Sequence, residues 1–145
     1  MLTGLPSLAL PDGTSEGGPA DVSFMGNVAY VTVGLGGDPA VRVVLGDAGA
    51  LLGKQLMATP AGAFRLVSAV PAHEARDNPA GDAVDSNPYT ILALPGRQVV
   101  ADSGGNTLIE VLANGRTRTF AAPSPLPSVP PIPRPRQTVA HPVDP

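Results

Sequence analysis

Between residues 73 and 87 the chain gathers its densest set of groups able to do chemistry: His73, Glu74, Asp77, Asp82, Asp85 and Asn87. Carboxylates and amides in so short a stretch make an oxygen-rich loop of the kind that binds Ca2+, a cation taking about six to eight oxygen ligands. On this reading Glu74, Asp77 and Asp85 are the metal candidates, and His73, Glu74, Asp77, Asp85 and Asn87 are the wider ligand-binding set. Against it, the spacing follows no calcium-loop pattern, and acidic loops are commonly just solvated. A general base at His73 would need an orienting partner, and none is identifiable in the sequence. No catalytic residue is assigned. The chain has no cysteine, which excludes disulfides, thiolate metal sites and a Cys nucleophile.

Other chemical patterns resolve into structural ones. Gly13-Thr14-Ser15-Glu16-Gly17 matches G-x-S-x-G, a motif that needs a strand before it and a helix after it. Gly18-Pro19 follows instead, so the match reads as a turn. Gly34, Gly36, Gly37 and Asp38 form a glycine-rich turn that fits neither dinucleotide nor phosphate loops. Asp102 and Asn106 are expected to bond turn amides, as Asx side chains do. The P-x-x-P spacings at Pro127, Pro130 and Pro133 could dock on an aromatic groove, but a connector is the simpler reading.

The elements that position these residues emerge from an internal repeat, sought first because missing it mis-assigns a fold. Residues 19–37 align on 88–106 at an offset of 69 without a gap. Val22 falls on Ile91, Tyr30 on Val99, Val31 on Val100 and Gly36 on Gly105. Residues 55–67 then align on 108–120 at an offset of 53, with Leu56 on Ile109 and Gly62 on Gly115. The first copy therefore carries 16 extra residues, within 38–53.

The second copy shows the unit plainly. Residues 89–94, 98–101, 107–112 and 116–121 read as four short antiparallel strands. Pro95-Gly96 and residues 102–106 turn the chain between them. Leu108 and Glu110 share one face of the third strand, Ile109 and Val111 the other. Asn114-Gly115 predicts a tight hairpin in which both residues adopt positive φ. Arg116, Thr117, Arg118 and Thr119 suit an exposed edge strand. In the first copy, part of 39–57 predicts a short helix, and 72–77 one helical turn before Asn78-Pro79. Four strands in some 35 residues are the size of one propeller blade.

Composition agrees. Seventeen glycines and 18 prolines are roughly twice average usage and favour strand-and-turn over helix. Aromatics are 3% and Trp is absent, so the core must be aliphatic. A net charge of −3 argues against nucleic acid, which calls for a basic face. No apolar run approaches the ~20 residues of a membrane span. The start of the chain lacks the pattern of a signal peptide. Nine of the 18 prolines lie in 123–145, a segment expected to run as extended polyproline-type chain.

With its proline-led first strand and its VVADSGGNTLIEV core, residues 87–111 resemble the NHL-type repeat. A closer resemblance is to the ScyD/ScyE family, named for proteins of the cyanobacterial scytonemin gene cluster and found in other bacteria. GLPSLALPDGT (4–14), NVAYVTVGLGGDP (27–39), HEARDN (73–78) and VDSNPYTILALPGRQVVADSGGN (84–106) carry it. The repeat core is generic to propellers, whereas GLGGDP and VDSNPY are more specific. The resemblance implies an exported, extracellular or periplasmic, six-bladed propeller more than twice this length. It carries over no catalytic residue, since the family's molecular activity is not settled.

The expected fold is therefore all-β, a propeller fragment of about two four-stranded blades with short helical insertions. Residues 1–15 would end a preceding blade, 16–70 form a blade with the insertion, 71–87 an acidic inter-blade loop, 88–122 a regular blade and 123–145 a connector. Two blades leave two apolar faces open, beyond what a monomer tolerates. Remaining blades or self-association are the expected partners. The leading functional expectation is a non-enzymatic ligand-binding or scaffold segment with no cofactor. The alternative is a lactonase- or hydrolase-like propeller using a divalent cation such as Ca2+ at its channel mouth.

Overall fold

The computed structural model describes residues 3–9, 11–12 and 16–123. Gly13–Ser15 of the G-x-S-x-G match and the P-x-x-P prolines lie outside the described residues. Glu16–Gly17, the last two residues of the match, form a two-residue strand β2 paired with β1 (Leu8–Ala9). The helix a nucleophile elbow requires is thus absent at that position.

Among the described residues the chain is mostly β, with two four-stranded antiparallel sheets and few helices. The first sheet runs β3 (Pro19–Met25), β4 (Val28–Val33), β5 (Lys54–Ala58), β6 (Phe64–Ala69), each paired with the next. Its successor runs β7 (Pro88–Leu94), β8 (Arg97–Asp102), β9 (Thr107–Leu112), β10 (Thr117–Ala121) in the same order. Sequence neighbours pair antiparallel throughout, joined by short turns everywhere except between β4 and β5.

Registers in the two sheets correspond. A cross-strand row Val22–Val31–Leu56–Leu66 in the first sheet has its counterpart in Ile91–Val100–Ile109–Thr119 of the second. Both sheets shift register at the start of their first strand, between Pro19 and Asp21 and between Pro88 and Thr90. Beside each shift one backbone bond recurs, Gly34 N–H to Gly18 O (2.7 Å) and Ser103 N–H to Asn87 O (3.0 Å). The 16 extra residues of the first copy loop out between β4 and β5 as α1 (Val41–Val44) and a 3-10 turn (Gly46–Gly49).

Two cores follow from the alternation of strands. Val31, Val33, Leu35, Leu52 and Leu56 cluster on the outer face of the first sheet, under Leu5, Leu8 and Leu51. Val70, Ile91, Val100, Ile109 and Val111 form the second cluster, joined across the sheet-to-sheet contact by Tyr30 and Val67. Gln55 Nε2 donates to Gln98 Oε1 (3.0 Å) inside that contact, and Ser68 Oγ donates to Gln55 Oε1 (3.0 Å). These bonds satisfy amides that burial would otherwise leave at a cost.

Two local expectations need correction. Residues 70–77 are not loop or a single turn but helix α2 (Val70–Asp77), which springs directly from β6. Pro71 sits in its first turn, where a missing N–H costs nothing and a fixed φ favours the helix. Asn78, at φ 33°, ends it by donating its N–H to Glu74 O. The second correction is the β9–β10 turn, where only Gly115 has positive φ (80°). Gly115 N–H bonds Leu112 O and Leu112 N–H bonds Arg116 O, so the loop has three residues rather than two. A Cβ on Gly115 would also collide with the Val67 carbonyl oxygen.

Candidate functional site

The acidic stretch folds onto the turn between β8 and β9. Asp102, the last residue of β8 and 1% exposed, anchors it. Its Oδ2 accepts from Ser86 Oγ (2.6 Å), while Oδ1 accepts from the N–H groups of Asn87 (2.5 Å) and Gly105 (3.3 Å). Ser86 in turn bridges to Gly37 through a reciprocal backbone pair. One carboxylate thereby ties three segments together, using neutral donors throughout. Asn106, expected to bond turn amides, instead adopts φ 50° and donates from Nδ2 to Asp82 Oδ2 (2.8 Å).

Helix α2 lays Glu74 over this turn. Glu74 is fully buried, and neither of its carboxylate oxygens has a hydrogen-bond partner. Asp85 Oδ1 and Thr107 Oγ are likewise buried and unpartnered. Gly104 and Gly105 make the room. A Cβ on Gly105 would lie 2.7 Å from Glu74 Oε2 and 3.2 Å from the Asp85 carbonyl oxygen, and one on Gly104 would lie 2.8 Å from Asp85 Oδ1. Burial pushes the Glu74 carboxyl above its usual range, and the nearby Asp102, Asp82 and Asp85 charges push the same way.

The sequence-predicted residues divide between two places. Glu74 and Asp85 meet at the β8–β9 turn, and Asn87 joins them through its backbone. Asp77 does not. At the end of α2 it accepts from Arg76 at Nε (2.8 Å) and NH2 (2.6 Å), and its Oδ2 lies 3.2 Å from His73 Nδ1. The Arg76 guanidinium holds the Asp77 carboxyl below its ordinary value. His73 is 1% exposed. Its Nε2 lies 3.0 Å from Thr119 Oγ1 and its Nδ1 3.0 Å from Arg76 NH2. Burial lowers its pKa, with Asp77 opposing, and both ring nitrogens are engaged by neighbouring side chains.

Sequence reasoning passed over Ser86 and Thr107. Thr107 pairs directly with Asp102 in the β8–β9 register, a proximity no local pattern announces. Among the described residues no three His, Asp or Glu side chains are arranged to hold a metal ion, so the trio Glu74, Asp77 and Asp85 does not form. No helix among them is long and apolar enough to cross a membrane. A separate cleft of about 370 Å³ lies where the two sheets begin, lined by Leu8, Gly17, Gly18, Gly34, Asn87 and Tyr89. No protein-family model, curated protein or solved structure matches the chain.

Proposed function

We propose that this chain is a pair of adjacent β-propeller blades and serves as a non-enzymatic binding or scaffold module. One observation carries the reading: residues that are repeat equivalents touch each other. Asp21 and Thr90 are 69 positions apart, the repeat offset, and Thr90 Oγ1 donates to Asp21 Oδ2 (2.5 Å). Beside them the N–H groups of Ile91 and Ala93 donate to Asp21 Oδ2 (2.9 Å) and Ser23 Oγ (3.0 Å). Units repeated by rotation about an axis meet their own equivalents nearest that axis, where the first strand of each propeller blade runs.

The faces turned away from this contact fit the same scheme. Val22 (49%), Phe24 (64%) and Leu66 (51%) are exposed on the outer face of the first sheet, and Leu92 (55%) on that of the second. The outer face of the second sheet is the repeat equivalent of the surface by which the first sheet meets it. A further blade is therefore the natural occupant, supplied by more polypeptide or by another copy. The resemblance to the ScyD/ScyE proteins extends the proposal to a segment of an exported bacterial propeller.

Light scattering coupled to size exclusion tests this on the chain of residues 1–145. Association above the 14.6 kDa chain mass, reduced by Phe24→Lys with Leu92→Lys, is the expected result. A monomer that binds no hydrophobic dye would overturn the open-face reading.

A further inference from the structure

Four carboxylates surround the β8–β9 turn, those of Glu74, Asp82, Asp85 and Asp102, and none forms an ion pair among the described residues. Their hydrogen-bond partners are neutral: Asn106 for Asp82, and Ser86 with the Asn87 and Gly105 amides for Asp102. The nearest guanidinium on α2, that of Arg76, is committed to Asp77. A fully buried carboxylate with both oxygens unpartnered would be strongly unfavourable if charged and alone. Two further oxygens lie against the same two glycines: Asp85 Oδ1, buried and unpartnered, beside Gly104, and the Asp85 carbonyl beside Gly105. Gly104 and Gly105, lacking a Cβ, let these groups approach the turn backbone closely.

We propose that Glu74 and Asp85 form a Ca2+ site where they close on Gly104 and Gly105, with Asp82 and Asp102 supplying negative charge from outside. The donor set selects the ion. Every candidate ligand is oxygen, mixing carboxylate and carbonyl, which suits a hard cation of flexible coordination. Water completes the coordination that two carboxylates and one carbonyl leave unfilled. Bound there, the ion clamps α2, the loop of residues 82–87 and the β8–β9 turn to one another. Those segments link the two sheets, so the site acts on how the sheets are held. This inference stands on these groups alone and is independent of the propeller reading.

The test is a calcium titration of the full chain, stripped of metal with chelator, followed by calorimetry and thermal unfolding. One saturable site is expected. At Ca2+ about 100-fold above Kd the melting temperature should rise by roughly 5–10 °C, with a smaller rise from the same concentration of Mg2+. Glu74→Gln should abolish the rise, yet melt no lower than metal-free wild type, because it replaces an unpartnered buried acid with a neutral isostere. Asp77→Asn, outside the site, should keep it. The assignment is overturned if wild type shows neither heat nor shift up to about 10 mM Ca2+, a bound set above the weakest natural sites. It is equally overturned if Glu74→Gln binds as wild type does, or if Asp77→Asn abolishes binding.

Discussion

Replacing Asp21 by alanine tests how the two sheets are joined. Its Oδ2 receives both the Thr90 hydroxyl (2.5 Å) and the Ile91 N–H (2.9 Å), and Oδ1 receives the Val22 N–H (2.8 Å). A hydrogen bond to a charged acceptor contributes about 1.5–3 kcal/mol when well buried. Asp21 is only half-buried, so the low end applies, and the pair across the contact sums to about 2 kcal/mol after screening. For a chain of this size that corresponds to a fall in Tm of about 8 °C. Hydrogen exchange should show the Ile91 amide losing protection while amides of the β4–β5 ladder keep theirs. Thr90→Ala should cost less, and the double-mutant cycle should give a coupling near 1 kcal/mol. The hydrogen bonds from Thr90 and Ile91 hold the Asp21 carboxyl below its usual value. A carboxylate depressed in the folded state stabilises above its unfolded pKa, and that contribution disappears as pH falls through the folded value. Asp21→Asn should therefore remove part of the acid sensitivity of unfolding. If Asp21→Ala melts within about 1 °C of wild type and leaves the Ile91 amide protected, this account of the contact is wrong.

Ile109, fully buried between the sheets beside Val70 and Val111, should cost about 2–5 kcal/mol when cut to alanine, measured by denaturant unfolding. Glu110 is paired with Arg97 (2.7 Å) and with Arg118 on the outer face of the second sheet. The Arg118 and Arg97 hydrogen bonds hold its carboxyl below the ordinary range. Stability should fall as acid neutralises it, and Glu110→Gln should flatten that fall in a pH series of melting curves.

The second sheet was legible because its signals are local. Residues 107–112 alternate, Pro95-Gly96 marks a turn, and the Thr/Arg run 116–119 suits an edge, so β7 to β10 could be placed to within about two residues. Residues aligned between the two repeats also occupy matching registers in the two sheets. Where the readings went astray, a longer-range term intervened. Helix α2 begins at Val70 rather than 72 because Val70 is fully buried against the second sheet, and nothing local reports that. Asn114 avoids positive φ because its Oδ1 accepts the Arg116 N–H (3.1 Å) in a three-residue loop.

The candidate site divides along the same line. Residue types are a property of the chain, and the density of carboxylates between 73 and 87 was visible at once. Which of them meet was not. Glu74 and Asp77 lie three residues apart on one helix, yet Asp77 goes to Arg76 while Glu74 is buried over Gly105. That outcome depends on the β8–β9 turn arriving beneath α2 some thirty residues later in the chain. Strand periodicity is set by backbone geometry and reads out locally. Burial without a partner arises only when segments far apart in sequence close on the same small volume, and only the folded chain decides that.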